Sequence, residues 1–451
     1  MTTLLVAGGL LVDELSVRPM DMLIQDGRVQ AIVPPGHAWS ADDVLDASGL
    51  HVLPGVVDAH VHFNEPGRTD WEGFVTGSTA AAAGGVTTVC DMPLNCHPPT
   101  LDARALALKR GPVADHALVD HAFWGGLVPE SLEHAAELQR AGVIGVKAFL
   151  CDSGLAEYPY LDDFNLLDAM QTCAGLRLLL ALHAEDADET ERLGEIARAA
   201  GRNAPLDWAR SRPASTEVDA VRRALEFARE TGPDVRLHFV HISTGAAARL
   251  IGEARAAGQD VSLETCPHYL ALDESDAERL GSAGKCAPPL RGTHEVEDLW
   301  QALLSGTIDW VASDHSPCPP SMKDTDSIWS AWGGVAGVQT LLPVLLTQGV
   351  FARGLSLSRL VSLTAGNPSR RLGLYPRKGA LEIGSDADLV LVDLARTWTL
   401  DKTDLRTRWP VNPFVGQTFR GQVVLTMVRG SVVWHHGAAR VEPGFGRLVT
   451  A

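Results

Sequence analysis

The chain has 451 residues, of which 45% are hydrophobic and 21% charged, and its formal net charge is −18. This composition excludes global disorder, and the length suits a large domain with a smaller companion. The acidic balance disfavours nucleic acid or an anionic membrane as a partner, and we interpret it as a solvated acidic surface.

The cysteines and the start of the chain bear on its location. Seven cysteines are scattered along the sequence, and none lies in a Cys-x-x-Cys pair. A disulfide framework is therefore not expected, and the pattern favours a reducing cytoplasm. The apolar run Leu4–Val12 contains two glycines and has no basic stretch before it, so we predict neither a secretion signal nor a membrane span.

The first fifty-odd residues predict short strands. Leu4–Ala7, Met20–Ile24 and Val29–Val33 are β-rich, and Asp26-Gly27 is a turn signal.

The middle of the chain alternates between two patterns. Eight short apolar runs predict strands at Val56–Val61, Val86–Asp91, Ala117–Trp124, Gly145–Leu150, Leu178–His183, Leu237–Ile242, Val261–Thr265 and Ile308–Ser313. Between them lie helical stretches such as Ser131–Arg140, Glu217–Glu230 and Ala246–Ala257. Eight strand–helix units predict an α/β fold, a parallel (β/α)8 TIM barrel over residues 54–378. The polar segment Glu185–Pro213 is expected to hold a lid or an extra helix.

The end of the chain returns to short strands at Ala387–Val392, Gly421–Val428 and Ser431–Trp434. Two β-rich ends around a long α/β middle predict one small β-sandwich domain, built from residues 1–53 and 379–451.

The first barrel strand carries a candidate metal pair. His60 and His62 are two residues apart, so their side chains point the same way from a strand. At the carboxyl end of a barrel strand both would face the site, where neutral imidazoles bind divalent ions. A single His-x-His is a weak signal.

Other polar residues fall at the ends of other predicted strands, as catalytic residues of a barrel do: Lys147, His183, His241 and Asp314. Each has a plain alternative by itself, because His183 could be a hydrogen-bonded core histidine and Asp314 a helix N-cap. His238 and His241 differ in strand parity, and we choose His241 as nearer the strand end.

Lys147 is the unusual member, because an ammonium is a poor neighbour for metal ions. A buried lysine near positive charge has a lowered pKa, and its neutral amine could capture carbon dioxide as a carbamate. That product is a carboxylate able to bridge two cations. The alternative is a lysine paired with a nearby carboxylate.

Five segments together resemble the cyclic amidohydrolase branch of the amidohydrolase superfamily, over essentially the whole chain. They are Pro54–His62, Gly84–Thr88, Val146–Phe149, Ser313–Pro317 and Gly379–Asp388.

Within the branch, His62–Phe74, Asp91–Asn95 and Lys285–Arg291 are most similar to the allantoinase group. Dihydroorotases usually carry arginine where this chain has Asn64, and histidine where it has Cys318. Dihydropyrimidinases and hydantoinases usually place a tyrosine shortly after the lysine, which here is absent until Tyr158.

The resemblance implies two divalent metal ions, one held by His60, His62 and Asp314 and the other by His183 and His241. Carboxylated Lys147 would bridge them. Zinc suits these ligands, and cobalt, manganese or iron remain open. Asn95, Cys286 and Ser316 would line the substrate pocket, and Cys151 is a further candidate; an inert buried thiol is an equal interpretation of Cys151 and Cys286.

The implied activity is hydrolysis of a cyclic amide, with Asp314 as the catalytic acid–base group and the hydantoin ring of allantoin as the substrate. The alternatives are a hydantoinase or dihydropyrimidinase, then a dihydroorotase or a non-catalytic scaffold. Scaffold relatives tend to lose metal ligands, which are all present here. The resemblance also implies a homotetramer.

Overall fold

The computed structural model describes residues 3–37 and 39–450. Its centre is a barrel of eight short parallel strands, each close to a predicted run. The strands are Val56–Val61, Val86–Asp91, Asp120–Phe123 with its continuation Gly125–Gly126, Val146–Phe149, Leu179–His183, Arg236–Phe239, Asp260–Thr265 and Trp310–Val311. The predicted (β/α)8 barrel is therefore confirmed.

Hydrogen bonds close the ring of strands. The first three strands form one parallel sheet and the others a second. Gly125 N donates to Gly145 O at 2.9 Å, and His62 N donates to His315 O at 2.7 Å, which joins the two sheets on both sides. Every carboxyl end of a strand consequently opens on the same face of the molecule.

Helices surround the barrel and pack on it through periodic apolar faces. In Ala214–Thr231 the buried positions include Ala220, Val221, Ala224 and Leu225, the spacing of one helical face. The α-helices are Phe74–Ala83, Ala103–His116, Ala135–Arg140, Asp163–Leu176, Ala187–Ala199, Pro205–Ser211, Ala214–Thr231, Gly245–Ala256, Pro267–Ala271, Glu274–Leu280, Thr293–Leu304, Leu341–Val344, Leu357–Val361 and Asn367–Arg371. Among the described residues, none of these is long and apolar enough to cross a membrane.

The predicted extra element after the fifth strand consists of two helices, Ala187–Ala199 and Pro205–Ser211. The first begins at Asp186, whose side chain accepts a hydrogen bond from Glu189 N. Pro205 occupies the first turn of the second, where its missing N–H costs nothing. Residues of both helices line the cavity described below.

The two ends of the chain share one mixed sheet of nine strands. Its strands are Thr3–Val12, Val17–Gln25, Arg28–Val33, Asp43–Asp46, His51–Pro54, Leu389–Thr399, Thr418–Val428, Ser431–His435 and Ala438–Ala439. His51–Pro54 pairs with Leu389–Thr399 and joins the two halves. Side chains from both halves, among them Val6, Ile24, Leu389 and Met427, pack in one apolar cluster. This accords with the predicted β-sandwich built from both termini.

Candidate metal centre

The first histidine pair meets Asp314 at the mouth of the barrel. His60 Nε2 lies 3.3 Å from His62 Nε2, and Asp314 Oδ1 lies 3.2 Å from the former and 3.4 Å from the latter. His60 lies in the first strand and His62 directly follows it, whereas Asp314 follows the eighth strand with φ at 45°. In the sequence, Asp314 is 254 positions from His60 and 252 positions from His62. The three side chains meet because closure of the barrel makes the first and eighth strands neighbours.

Hydrogen bonds on the far side of each ring fix where its proton lies. His60 Nδ1 lies 2.6 Å from Glu264 Oε1, and His62 Nδ1 lies 2.8 Å from Leu94 O. These oxygens accept, so each ring donates from Nδ1 and keeps a lone pair on Nε2. Two lone pairs and a carboxylate oxygen thus face one another, an arrangement that repels unless a cation lies among them.

The second histidine pair lies at the carboxyl ends of the fifth and sixth strands, which are neighbours in the barrel. His183 Nδ1 is 3.0 Å from His241 Nε2, while His183 Nε2 is 2.8 Å from Glu185 Oε2. The ring centroids of His60 and His241 are 5.5 Å apart, so the two pairs form one cluster. His241 Nδ1 is buried without a hydrogen-bond partner. The facing nitrogens can share a proton or bind one cation together.

Lys147 lies in the fourth strand beside the second pair, with 1% of its surface exposed. Among the described residues, no carboxylate pairs with Lys147 Nζ. This nitrogen lies 5.1 Å from the centroid of the Phe149 ring. Burial lowers the pKa of Lys147 to about 8. Such an amine is far easier to deprotonate than an exposed lysine, which the carbamate hypothesis requires.

Burial also lowers the pKa of His60, His183 and His241, so their rings are neutral near pH 7. Burial by itself would raise the pKa of Asp314, but the nearby His60 and His62 rings bring it down to about 2. Neutral imidazoles beside an ionised carboxylate are the protonation states that metal binding requires. The donor set therefore fits a centre for divalent ions.

The cluster lies at the inner end of a cavity of about 900 Å³. Asn95 and Ser316 line this cavity, and Asn95 Nδ2 donates to Ser316 Oγ at 3.4 Å. The Cys286 side chain is buried in the apolar core outside the cavity wall, which its neighbours Lys285 and Ala287 line. Cys151 is buried behind His183 and lies outside the wall as well.

The structure also locates the residues that were compared with related groups of enzymes or weighed as alternative ligands. Asn64 is buried, with its Nδ2 3.4 Å from Pro317 O, and it does not reach the cavity. The Tyr158 hydroxyl donates to Lys147 O at 2.7 Å and is likewise buried. His238, the alternative to His241, faces Glu264 and Ser262 instead of the centre.

Several residues of the site are not among the site residues predicted from the sequence. Glu264 bonds to His60, and Glu185 bonds to both His183 and Arg212. Lys285 and Trp208 line the cavity, with Lys285 Nζ 4.2 Å from the Trp208 ring centroid. A charged residue inside an apolar strand, as in Leu263-Glu264-Thr265, is the signal that could have found Glu264.

Comparison with known proteins places this architecture in a family. The model of the amidohydrolase family matches residues 51–433. The chain is 48% identical to an allantoinase of Solibacter usitatus and 47% identical to one of Deinococcus radiodurans, covering 100% and 99% of this chain and 97% and 98% of theirs. An L-hydantoinase (dihydropyrimidinase) structure from Arthrobacter aurescens superposes with a TM-score of 0.97 at 36% identity, covering 100% of both chains. The protein thus belongs to the amidohydrolase family.

Proposed function

We propose that the protein is an allantoinase, which hydrolyses a ring amide of allantoin to give allantoate. The observation that carries the chemistry is the cluster of two facing histidine pairs, Asp314 and the unpaired Lys147 at the end of one cavity. The choice of substrate rests on relatives named allantoinase that are 48% and 47% identical over nearly the whole chain.

Two divalent ions fit the donor set, with His60, His62 and Asp314 holding one and His183 and His241 the other. Lys147, carboxylated by carbon dioxide on Nζ, would bridge them. When bound, such ions polarise a substrate carbonyl and make water a stronger nucleophile. Zinc matches nitrogen and oxygen donors of this kind, and cobalt, manganese or iron suit the same ligands.

Asp314 handles the proton in this scheme. The carboxylate oxygen that does not face His60 and His62 accepts a proton from the attacking water as the new C–O bond forms at the ring carbonyl. The ring C–N bond then breaks, and the same oxygen returns the proton to the leaving nitrogen. The carboxyl group so formed ionises, so the product is an anion. The low pKa of Asp314 keeps its carboxylate ionised before the reaction.

The rest of the cavity orients the ring. Asn95 Nδ2 and Ser316 Oγ lie on its wall and can bond to the polar edge of the substrate. Cys286 acts on the cavity wall rather than on the ring, because its side chain faces the core and its carbonyl accepts from Nε1 of Trp208, a lining residue, at 2.8 Å.

The test is ring opening by the purified protein, with allantoin, hydantoin and dihydrouracil compared in parallel. We expect allantoate from allantoin, and loss of both turnover and bound metal in Lys147→Ala. A short carboxylic acid that restores activity to that variant would support the bridging carboxylate. Metal-loaded protein that leaves allantoin intact would contradict the proposal.

A second candidate is hydantoinase activity, favoured by the likeness to the L-hydantoinase of 36% identity. The same panel separates the two, because that activity opens hydantoin or dihydrouracil and spares allantoin. A protein that stays inert on all three rings after addition of metal and bicarbonate would instead point to a scaffold.

Three features of the whole protein complete the proposal. Residues 1–53 and 379–451 make a small domain and residues 54–378 the hydrolase barrel, which the shared terminal sheet supports. The protein assembles as a homotetramer, which light scattering can test. Its location is the cytoplasm, in line with seven cysteines that are all free.

A further inference from the structure

A row of buried side chains leads away from the second histidine pair. Glu185 Oε2 lies 2.8 Å from His183 Nε2 and 2.6 Å from Arg212 Nη1. The same Nη1 lies 3.7 Å from Cys151 Sγ. Glu185 is 0% exposed and Arg212 8%, so neither charge is solvated by bulk water. The guanidinium is the cation that neutralises this buried carboxylate.

Without that cation, the surrounding donors would make a metal site. Ligand atoms of Cys151, His183 and Glu185 all lie within 4.8 Å of one another, and all three residues are buried. Sulfur, imidazole and carboxylate together are a ligand set that zinc and cobalt accept. Arg212 touches two of the three donors, which places its charge where a metal ion would otherwise bind.

We propose that Arg212 is a positioning residue of the centre, whose guanidinium holds Glu185 on His183 Nε2 and keeps metal ions away from Cys151, His183 and Glu185. His183 then offers only Nδ1, the nitrogen that faces His241. This inference rests on the proposed metal-dependent function and adds a residue outside its ligand set.

The physical reason lies in the choice of cation. Arginine stays charged at every working pH and forms directed hydrogen bonds, so it neutralises Glu185 permanently. Arg212 is held in place by the Trp208 ring, 4.4 Å from its guanidinium carbon, and by Arg291, which donates to its carbonyl. A metal at the same position would pull His183 Nε2 towards itself and displace the Cys151 thiol proton.

The test uses Co²⁺, because thiolate coordination gives an intense near-ultraviolet charge-transfer absorption that nitrogen and oxygen ligands lack. The wild-type protein loaded with Co²⁺ is expected to show no such absorption. Arg212→Met should show it, and Arg212→Met combined with Cys151→Ser should lose it. Arg212→Met should also release the ion held by His183 and His241 to a chelator roughly 10- to 100-fold more readily.

Two further variants serve as controls. Arg212→Lys keeps a positive charge and should resemble the wild-type spectrum. Arg198→Met removes another cavity arginine, which stacks on Trp329 at 5.1 Å, and should also leave the spectrum unchanged. If Arg212→Met fails to fold, as judged by circular dichroism, Arg212→Gln replaces it with the same expectation.

Folded, cobalt-loaded Arg212→Met or Arg212→Gln without the thiolate absorption would overturn the proposal. Absorption that persists after Cys151→Ser would do the same. The readout needs no substrate, so it is separate from the identity of the ring. Wild-type protein that binds Co²⁺ but spares allantoin would contradict only the proposed substrate.

Discussion

Glu264 shows how one buried carboxylate can set the chemistry of a neighbouring ring. It lies on the seventh strand, where its Oε1 is 2.6 Å from His60 Nδ1 and its Oε2 accepts from Trp310 Nε1 at 2.7 Å. His238 Nε2 lies 3.2 Å from the same carboxylate. Burial opposes its ionised form, but His60 and then His238 hold the pKa of Glu264 well below its usual range. The negative charge strengthens the basicity of His60 Nε2 towards a cation.

Glu264→Gln is expected to weaken metal binding and activity together, by about 10- to 100-fold. The amide keeps the shape of the side chain but loses the charge that orients His60. Metal retention against a chelator, measured beside turnover, tests this expectation. A variant that retains metal as the wild type does would show that the charge of Glu264 is unimportant to the centre.

His121 gives a pH dependence that is independent of the centre. Burial lowers its pKa to about 4, and its ring packs against Phe74 and Phe123. The folded pKa lies below the unfolded value of 6.5, so the unfolded chain binds more protons in acid. The contribution of His121 to stability is complete above pH 6.5 and is lost as the pH falls towards 4.

Because of this histidine, we expect the free energy of unfolding to fall by about 2 kcal/mol when the pH is lowered from 7 to 5. His121→Phe keeps a ring of similar size that cannot titrate, so its stability should fall less over that interval. Urea unfolding of both proteins at the two pH values measures the difference. The exposed His294, changed to Phe, is the control and should follow the wild type.

At the scale of elements, the roof segment, defined as residues 319–334, covers one side of the cavity. Lys285 Nζ donates to Ala331 O at 2.6 Å and approaches Trp329 O at 3.4 Å. Lys323 Nζ donates to Gly334 O at 2.9 Å. The only helical element described in the segment is a short 3₁₀ turn, Pro320–Met322. Hydrogen bonds from these two lysines therefore help to hold the segment in place.

Lys285→Met should let the roof segment open more often, because it removes two hydrogen bonds from Lys285 Nζ that together contribute about 2 kcal/mol. That loss corresponds to a roughly 30-fold rise in local opening. Limited proteolysis should cut the variant faster between residues 319 and 334. In kinetic assays, the substitution should change KM more than kcat. Lys402→Met, on an exposed residue, should change neither. Equal cleavage in all three proteins would contradict the role of Lys285.

At the scale of the whole molecule, a buried ion cluster ties the barrel to the terminal sheet. Lys378 bonds to Asp120 of the third barrel strand, and to Asp388 at 2.7 Å and Asp386 at 3.1 Å, just before the strand Leu389–Thr399. Arg429 also pairs with Asp120. Lys378, Asp120, Asp386 and Asp388 are all nearly inaccessible to solvent, so each charge depends on its partners.

Lys378→Met should therefore reduce the free energy of unfolding by about 3–5 kcal/mol, since it leaves the buried Asp388 without a cation. Urea unfolding followed by tryptophan fluorescence and circular dichroism tests the size of the loss. Lys402→Met is again the surface control and should stay within about 0.5 kcal/mol of the wild type. A loss no larger than that of the control would show that the cluster adds nothing to stability.

Features that depend on short-range periodicity could be predicted from the amino-acid sequence. Eight apolar runs, separated by helical stretches, were enough to predict the barrel, since each strand is buried on both faces and reads as a continuous apolar run. The alternation of side chains along a strand was enough to place His60 and His62 on one face. The motifs around Lys147 and Asp314 were enough for the family, which the comparisons confirm.

The residues that support the centre from distant parts of the chain become apparent only in the folded structure. Glu264 lies 204 positions from His60, and Arg212 lies 27 positions from Glu185 with two helices between them. Local patterns do not encode such contacts, because they arise where strands meet around a closed barrel. The same closure turned the Cys286 side chain into the core, while its neighbours Lys285 and Ala287 line the cavity. The alternation of strands and helices in the sequence therefore specifies the barrel, while closure of the barrel decides which side chains surround each residue of the candidate centre.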